Sequence, residues 1–491
     1  MKAWLIVLLG LVAVSAISTV RAYRNGWTLY YGDAEARLDI ARRVVDSRTP
    51  GYDQIGTVWL PLPVALVLPL VSNDGLWRSG LAGAIPSSGC FVLAGLLLFG
   101  AVRRLCGSLA AAAAAVACFA LNPNLLYLQA TPMTEAAWFA GIMAVLYFSV
   151  RFAETPTVGL VLATALANLA VSLTRYDGWF LIPFCFGFVL LTGGKRRIWL
   201  ALLFGGVASI GAIYWLAHNW WYFGNPLDFY NGPYSAKAIQ GSASYPGMND
   251  WGKAWLYYRS AAALCAGLGA VIVGAFGLLA VIAKRAWWPL LLLSLPPVFY
   301  LWSMHSSGNP IFIPTLWPNT YYNSRYGLAA WPLIALCAGA AVLLAPVRIR
   351  PMAAALVVLI ALTPWLLNPH PDSWVVWKES QVNSEARRAW TARTAQYLAA
   401  HYRKGTGIFG TLGDLAGAFR EADIPFREVL QEGNEPAWEA ATRRPDLFLH
   451  EEWAVAFAGD RVAKAAQATH YYLVQSIAIK GARTIEIYKR K

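Results

Sequence analysis

Charged residues are scarce in this 491-residue chain, in which Asp, Glu, Lys and Arg together make up only 13% of the sequence. A soluble globular protein carries about 25% charged residues, so the composition argues against an ordinary soluble enzyme. Hydrophobic residues make up 58% and include 23 Trp. They form repeated apolar runs of about 17–22 residues, which are long enough to span a bilayer. The chain is therefore predicted to be a polytopic α-helical membrane protein.

Cysteine and the common catalytic signatures are also scarce. The six cysteines stand singly in or beside apolar runs, so we expect small buried side chains rather than a disulfide framework or a metal site. A Walker loop, a dinucleotide fingerprint, a zinc motif and a triad signature are all missing, which argues against a nucleotide-fuelled enzyme. The net charge is +14, but much of it lies in short loops between apolar runs, where cytoplasmic Lys and Arg set orientation. No nucleic acid partner is predicted.

Basic clusters between the apolar runs determine the predicted topology. If all of them are cytoplasmic, the chain has about 11 transmembrane helices, a cytoplasmic N-terminus and a C-terminus outside. The first apolar run is predicted to be a retained helix rather than a signal peptide, because no convincing cleavage site follows it. The predicted helices cover residues 3–20, 80–101, 109–128, 136–150, 157–173, 179–194, 198–217, 260–283, 287–304, 327–345 and 351–367.

Two further segments complete the predicted organisation. Residues 58–71 are apolar, short and rich in proline, and we expect a re-entrant or interfacial helix within a long first outside loop, residues 21–79. The predicted domains are a transmembrane catalytic domain, 1–370, and a soluble extracytoplasmic α/β or α+β domain, 371–491. Within the soluble domain the pattern predicts a helix at 385–402 and strands at 405–409, 445–450, 471–479 and 484–488.

The first outside loop carries the most informative charged residues. Asp33 and Glu35 lie just after the first apolar helix, and charged groups this close to a bilayer are costly and usually functional. Residues 32–46 have an apolar helical stripe, which is typical of an interfacial amphipathic helix. Arginines flank this stripe, namely Arg37, Arg42 and Arg43. They could bind a lipid phosphate; alternatively they only snorkel to headgroups, and Asp33 only caps the helix.

The later outside loops add further candidate residues. Thr134 and Glu135 are candidates for an acceptor or metal site, or else form the start of a helix. Arg175 could bind a phosphate while Asp177 binds a sugar hydroxyl, or the two could pair with each other. Arg325 at the membrane edge suits a phosphate better than lysine would. The other binding candidates in these loops are Tyr176, His218, Asn219 and Tyr326.

In the order of these loops the chain resembles the GT-C glycosyltransferases, specifically bacterial members similar to protein O-mannosyltransferases and lipid A aminoarabinose transferases. The resemblance covers about residues 1–330 and rests on Asp33-Ala34-Glu35, the proline-containing segment 59–63 and the polar turn 131–135. It implies a polyprenyl-phosphate-linked sugar donor and inversion at the anomeric carbon. It also implies that Asp33 is the base, with Glu35 as its partner, in a bacterial inner membrane.

Departures from the family pattern leave the substrates open. Ala34 separates acids that are often adjacent in the mannosyltransferases, and the aminoarabinose enzymes carry a Lys before their loop prolines where this chain is apolar. A glycan, a lipid or a protein can therefore be the acceptor, and a divalent cation beside Glu135 is the one cofactor considered. Two alternatives to an enzyme are a flippase for lipid-linked sugars and a scaffold subunit. A flippase needs polar residues in helix centres, where only Asn168 is a strong candidate.

Overall fold

The computed structural model describes residues 2–491 as a mostly helical chain with one small sheet in its C-terminal part. It divides into two compact units. Unit 1 contains the chain up to Asn25, Thr57–Pro63 and Ala84–Glu379. Unit 2 contains Gly26–Gly56, Val64–Gly83 and Ser380–Lys491. Two pieces of the predicted first outside loop thus belong to the same unit as the C-terminal residues, while the domain boundary between 370 and 371 stays a prediction.

The α-helices follow one another along almost the whole chain. Up to residue 106 they are α1 Lys2–Arg24, α2 Gly32–Val45, α3 Pro61–Val71, α4 Asp74–Ser79 and α5 Leu81–Cys106. Those up to residue 223 are α6 Leu109–Leu121, α7 Pro123–Leu128, α8 Glu135–Glu154, α9 Val158–Ser172, α10 Asp177–Thr192 and α11 Arg197–Phe223. Next come α12 Asp228–Asn231, α13 Ala236–Gln240, α14 Trp251–Ala266, α15 Leu268–Ala283, α16 Trp287–Ser306, α17 Trp331–Ala341 and α18 Arg350–Leu367. The last are α19 Val375–His401, α20 Ala416–Glu421, α21 Ala437–Arg443, α22 Pro445–Phe448 and α23 Arg461–Gln467.

Several of these helices suit a membrane. Among residues 2–491, six helical segments are long and apolar enough to cross a bilayer, and a bent pair of helices would bring the number to seven. The six are Lys2–Arg24, Leu81–Cys106, Glu135–Glu154, Gly194–Phe223, Ser324–Leu344 and Val347–Leu367. The helical class is confirmed, together with several apolar helices and a small C-terminal sheet. The number of eleven spans stays a prediction.

One predicted span is wrong in its form. The segment predicted as a single helix at 260–283 consists of two helices, α14 and α15, which meet at an angle of 102°. The residue between them, Gly267, has a φ of +79° and a ψ of 137°, a conformation that glycine adopts easily and other residues rarely do. A hydropathy pattern does not reveal such a bend, because apolar residues continue on both sides of it.

The predicted helix at 109–128 is also interrupted. α6 ends at Leu121 and α7 begins at Pro123, with Asn122 between them. The Asn122 side chain accepts hydrogen bonds from the backbone N–H groups of Asn124 and Leu125, and proline is favoured at the first position of a helix. A local cap signal therefore divides a run that is otherwise mostly apolar.

The C-terminal sheet has five strands in the order β2-β1-β3-β5-β4. Its strands are β1 Ile408–Gly410, β2 Val429–Leu430, β3 Trp453–Phe457, β4 Tyr471–Ile477 and β5 Ile485–Arg490. β1 runs parallel to β2 and β3, while β5 is antiparallel to β3 and β4. The two strands predicted at 471–479 and 484–488 are confirmed. The central strand β3 was missed, because it is buried along its whole length and shows no alternation.

One predicted strand is a helix instead. Residues 445–450 were expected to be extended, but α22 occupies Pro445–Phe448. Proline fits the first turn of a helix, where its missing N–H leaves no bond unmade. Four residues are too few for periodicity to distinguish the two structures.

Within unit 1, glycines let α15 pack closely against two later helices. A Cβ atom on Gly277 would lie 1.7 Å from the carbonyl oxygen of Cys337 in α17. A Cβ atom on Gly269 would lie 1.9 Å from the carbonyl oxygen of Ile360 in α18. Small residues allow such backbone contact between membrane helices, which gains van der Waals attraction.

We expect Gly277→Ala to destabilise the protein by about 1–3 kcal/mol, because the added methyl group forces α15 and α17 apart. The measurement is the temperature at which half of the detergent-purified protein is lost from the monodisperse size-exclusion peak. Gly206→Ala in α11 is the matched control, since a Cβ there would meet nothing within 4 Å. Equal melting temperatures for the two variants would contradict the close packing of α15 and α17.

Candidate active site

Three loops of unit 1 bring two arginines to the carboxylate of Glu135. Glu135 begins α8, Arg175 precedes α10, and Arg325 lies in the short 3-10 helix Ser324–Ala330. The Nη1 atom of Arg175 donates a hydrogen bond to Glu135 Oε1 at 2.9 Å. The Nε atom of Arg325 lies 3.4 Å from the same oxygen. Three residues that the sequence singled out in separate loops therefore lie together.

Aromatic rings surround the two arginines. The Nη2 atom of Arg175 donates to the hydroxyl of Tyr300, and its guanidinium carbon lies 5.4 Å from the ring centres of Tyr300 and Tyr326. The guanidinium carbon of Arg325 lies 5.3 Å from the Tyr326 ring. The two tyrosine rings stack with their centres 4.7 Å apart. Cations are attracted to the faces of aromatic rings, so these contacts help to fix both guanidinium groups.

These side chains line a small pocket, in which the empty space amounts to about 200 Å³ when the adjoining open solvent is included. Its walls are Glu135, Trp138, Phe139, Arg175, Tyr300, Arg325, Tyr326, Leu328 and Ala329. The second carboxylate oxygen of Glu135, Oε2, is buried and has no hydrogen-bond partner among residues 2–491. A buried polar atom without a partner is costly, so this oxygen suits a donor group on a bound molecule, such as a hydroxyl.

A second carboxylate holds Arg325 from the other side. Glu379 is buried in α19, and its Oε1 lies 3.6 Å from Arg325 Nη1. It accepts backbone hydrogen bonds from Asn323 at 3.1 Å and Ser324 at 2.7 Å. Burial raises the pKa of the Glu379 carboxyl, while Arg325 and the Ser324 hydrogen bonds act in the opposite direction. The guanidinium of Arg325 is thus held between two carboxylates.

Of the residues that follow Arg175, Tyr176 is half-buried and Asp177 is buried. Asp177 begins α10 and is almost wholly buried. The hydroxyl of Tyr176 donates to the carbonyl of Val58 at 2.6 Å and accepts from the Trp215 indole at 3.1 Å. Arg175 directs its Nη groups to Glu135 and Tyr300, so a bond between loops takes the place of the alternative in which Arg175 pairs with Asp177.

His218 and Asn219 lie inside a helix rather than in a loop. α11 ends at Phe223, whereas the predicted helix ended at residue 217. The His218 ring stacks on Trp215 with ring centres 4.5 Å apart, and Asn219 Nδ2 donates to the Trp215 carbonyl at 2.9 Å. Thr134, the remaining candidate of unit 1, is buried at the N-cap position of α8.

In unit 2 the acidic motif lies at the start of α2. The helix begins at Gly32, with Tyr31 in the N-cap position. Asp33 therefore belongs to the first turn, and the alternative that it caps the helix is wrong. Its side chain is half-buried, near the helix end where the macrodipole favours a negative charge. Arg37 and Arg43 are also half-buried.

Arg42, in contrast, is buried and bonded through each of its nitrogens. Nε donates to Asp46 at 2.8 Å, Nη1 to the carbonyl of Val71 at 2.9 Å, and Nη2 to Asp74 at 2.7 Å. Its guanidinium carbon also lies 4.4 Å from the Trp77 ring. The role of Arg42 as a phosphate ligand stays a prediction to which these contacts lend no support.

Glu35 is also buried and forms ion pairs with Arg387 and Arg420. Its neighbour Asp39 accepts from Arg420 at 2.9 Å and from the Trp77 indole at 3.0 Å. Burial raises the pKa of the Asp39 carboxyl, while Arg420 and Trp77 act in the opposite direction. No sequence pattern indicates these partners, because Glu35 and Arg420 stand 385 positions apart.

The side chains do not fit a bound metal ion. Among residues 2–491, no three His, Cys, Asp or Glu side chains lie together in a way that could hold one. Glu135, the acid considered for that role, is bonded to an arginine and lies beside a second. Those positive charges repel a cation, which disfavours a metal ion beside Glu135.

Replacing Glu135 by Ala is expected to destabilise the protein by about 3–5 kcal/mol, because Arg175 and Arg325 then lose the buried carboxylate that they share. Glu154→Ala at the far end of the same helix is the control. Glu154 forms an exposed ion pair with Arg104, and exposed ion pairs contribute about 0–1 kcal/mol to stability. Thermal unfolding of both variants in one detergent makes the comparison, and similar losses would contradict a buried charge cluster at Glu135.

Comparison with solved structures finds proteins of similar fold. ArnT from Cupriavidus metallidurans, in a crystal structure bound to undecaprenyl phosphate, matches with a TM-score of 0.58 at 14% identity, over 96% of this chain and 97% of ArnT. Its apo structure matches with a TM-score of 0.55 at 16% identity and the same coverage, 96% and 97%. An apo oligosaccharyltransferase from Archaeoglobus fulgidus has a TM-score of 0.47 at 12% identity, over 92% and 69%.

No family model and no curated protein matches the sequence. At these low identities the similarity concerns the fold alone. The chain has the fold of ArnT, so the resemblance that the order of the outside loops indicated is confirmed at the level of the fold.

Proposed function

We propose that this protein is an integral-membrane glycosyltransferase that moves a sugar from a polyprenyl-phosphate donor to a hydroxyl or phosphate of a glycan, lipid or protein acceptor. The observation that carries the proposal is the pocket in which Arg175 and Arg325 meet Glu135 among aromatic rings. The fold supports it, because ArnT has been solved with undecaprenyl phosphate bound. The proposed location is a bacterial inner membrane, with a cytoplasmic N-terminus and a periplasmic domain at 371–491.

The arginines of the pocket suit the phosphate of the donor. When the sugar leaves, negative charge grows on the phosphate oxygens, and donors fixed in advance stabilise that charge. A guanidinium presents planar pairs of N–H groups that match phosphate oxygens. The rings of Tyr300 and Tyr326 offer apolar faces for a sugar, and the Oε2 atom of Glu135 offers an acceptor for one of its hydroxyls.

Asp33 is the proposed general base. It takes the proton from the acceptor hydroxyl while that oxygen attacks the anomeric carbon and the bond to the phosphate breaks, which inverts the configuration. Glu35, whose carboxylate already pairs with two arginines, suits a role in fixing the helix rather than in moving the proton. Arg37 and Arg43 on the same helix stay candidates for contact with the lipid phosphate.

We expect Arg175→Lys and Arg325→Lys each to weaken donor use by about 10- to 100-fold, since lysine keeps the charge but loses the planar pair of donors. The measurement is the transfer of radiolabelled sugar from polyprenyl-phosphate donors by purified protein with native membrane extract. Arg104→Lys, in an exposed pair, is the control. If the wild type transfers no label from any donor but moves it across liposomes, the protein is a flippase and the proposal fails.

Replacing Asp33 by Asn should lower the rate of transfer by about 10²- to 10⁴-fold, because the amide cannot accept the proton. The same change at Asp53, an exposed acid of the same outside loop, should leave the rate within a factor of two. Both variants need the size-exclusion profile of the wild type. Transfer that survives Asp33→Asn would assign the base to another residue.

A further inference from the structure

A row of buried charges runs along one face of α2. Glu35, Asp39, Arg42 and Asp46 recur at intervals of four, three and four residues, which places them on the same side of a helix. Each is less than a tenth exposed, at 7%, 4%, 6% and 5%. Burying four charges is costly, and ion pairs often do no more than offset that cost. We therefore expect this row to have a role other than stability.

Arg420 of α20 binds the first two acids of the row. Its Nη2 donates to Glu35 Oε1 at 2.5 Å and its Nη1 to Asp39 Oδ2 at 2.9 Å. Arg420 is only 2% exposed. One planar guanidinium thus bridges two successive turns of α2 and fixes their rotation about the helix axis.

Arg387 of α19 holds the chain on both sides of Asp33. It pairs with Glu35, and its Nη2 donates to the carbonyls of Leu29 at 3.2 Å and Tyr30 at 2.8 Å. The next residue, Arg388, places its guanidinium carbon 4.0 Å from the Tyr30 ring. The backbone before Asp33 and the carboxylate after it are therefore bound by the same guanidinium.

The approach of α20 to Glu35 depends on a glycine. A Cβ atom on Gly417 would lie 2.2 Å from Glu35 Oε1, which is closer than such atoms can come. Any larger residue at this position would push the carboxylate away from Arg420. The ion pair between Arg420 and Glu35 therefore depends on the backbone position of Gly417 as well as on the two charges.

We propose that Arg387 and Arg420 are positioning residues that give Asp33 a single orientation by clamping the first turn of α2. The inference rests on the proposed function, in which Asp33 is the base. A misplacement of about 1 Å in a reacting group can cost 100-fold in rate. The C-terminal residues of unit 2 thereby control the chemical step, although they do not contact the proton that is transferred.

The test is the steady-state kinetics of sugar transfer by the full-length protein in detergent, with the variants Arg387→Lys and Gly417→Ala. The first keeps the charge but not the several bonds of the guanidinium, and the second displaces Glu35 without removing any charge. We expect kcat to fall at least tenfold while KM for the donor stays within twofold. A purely structural role would instead lower the amount of active protein and leave the kcat of the folded fraction unchanged.

Two matched controls come from the same unit. Arg427→Ala removes a partner of Asp46 at the far end of α2, roughly 20 Å from Asp33 at 1.5 Å per residue. Gly413→Ala adds a methyl group where a Cβ would meet nothing within 4 Å. Both should keep kcat within twofold of the wild type. If they fall as far as Arg387→Lys, general loosening explains the loss and the positioning role is refuted.

The remaining outcomes separate the two proposals. If the wild type transfers sugar and Arg387→Lys and Gly417→Ala both keep its kcat, the positioning role is wrong while the glycosyltransferase stands. If the wild type transfers sugar from no polyprenyl-phosphate donor, the proposed function fails and the positioning role fails with it. A double-mutant cycle of Glu35→Ala and Arg420→Ala adds a check. If the two residues act together, their losses in kcat are not additive, whereas additive losses would count against the positioning role.

Discussion

The ion pairs of Arg420 with Glu35 and Asp39 are the constraint on which unit 2 depends. Two carboxylates are withdrawn from water on one helix, and each would be strongly unfavourable without a cation beside it. The guanidinium that satisfies them comes from 385 positions further along the chain than Glu35. The acidic helix and the C-terminal residues therefore have to fold together, because either part alone would bury unpaired charge.

The same requirement shapes the pocket of unit 1 with the signs reversed. There two guanidinium groups share the carboxylate of Glu135, and Glu379 supports Arg325 from the other side. Charges of one sign can stand close together only because those of the other sign lie between them. The two arginines are thus fixed hydrogen-bond donors, while Oε2 of Glu135 still has no partner in the described part of the chain. Such an arrangement can bind a polar ligand.

The contacts also distinguish arginines that look alike in the sequence. Arg42 flanks the apolar stripe of α2, Arg175 follows the apolar helix α9, and both are candidates for binding a phosphate. The bonds of Arg42 go to Asp46, Asp74 and a backbone carbonyl, so its role in the structure is internal. Arg175 lines a pocket. The pocket separates the two cases, because the Nη groups of Arg175 also have partners inside the protein, Glu135 and Tyr300.

Features that depend on near neighbours follow from the sequence alone. Composition indicated the helical membrane class, the order of the outside loops indicated the fold that the chain shares with ArnT, and periodicity located α2 and the last two strands. The bend at Gly267 and the partners of Glu35 and Glu135 depend on contacts between distant parts of the chain. Hydropathy and periodicity describe only whether the faces of a segment meet water or apolar groups on average. An ion pair or a backbone contact, in contrast, is formed by residues from any part of the chain.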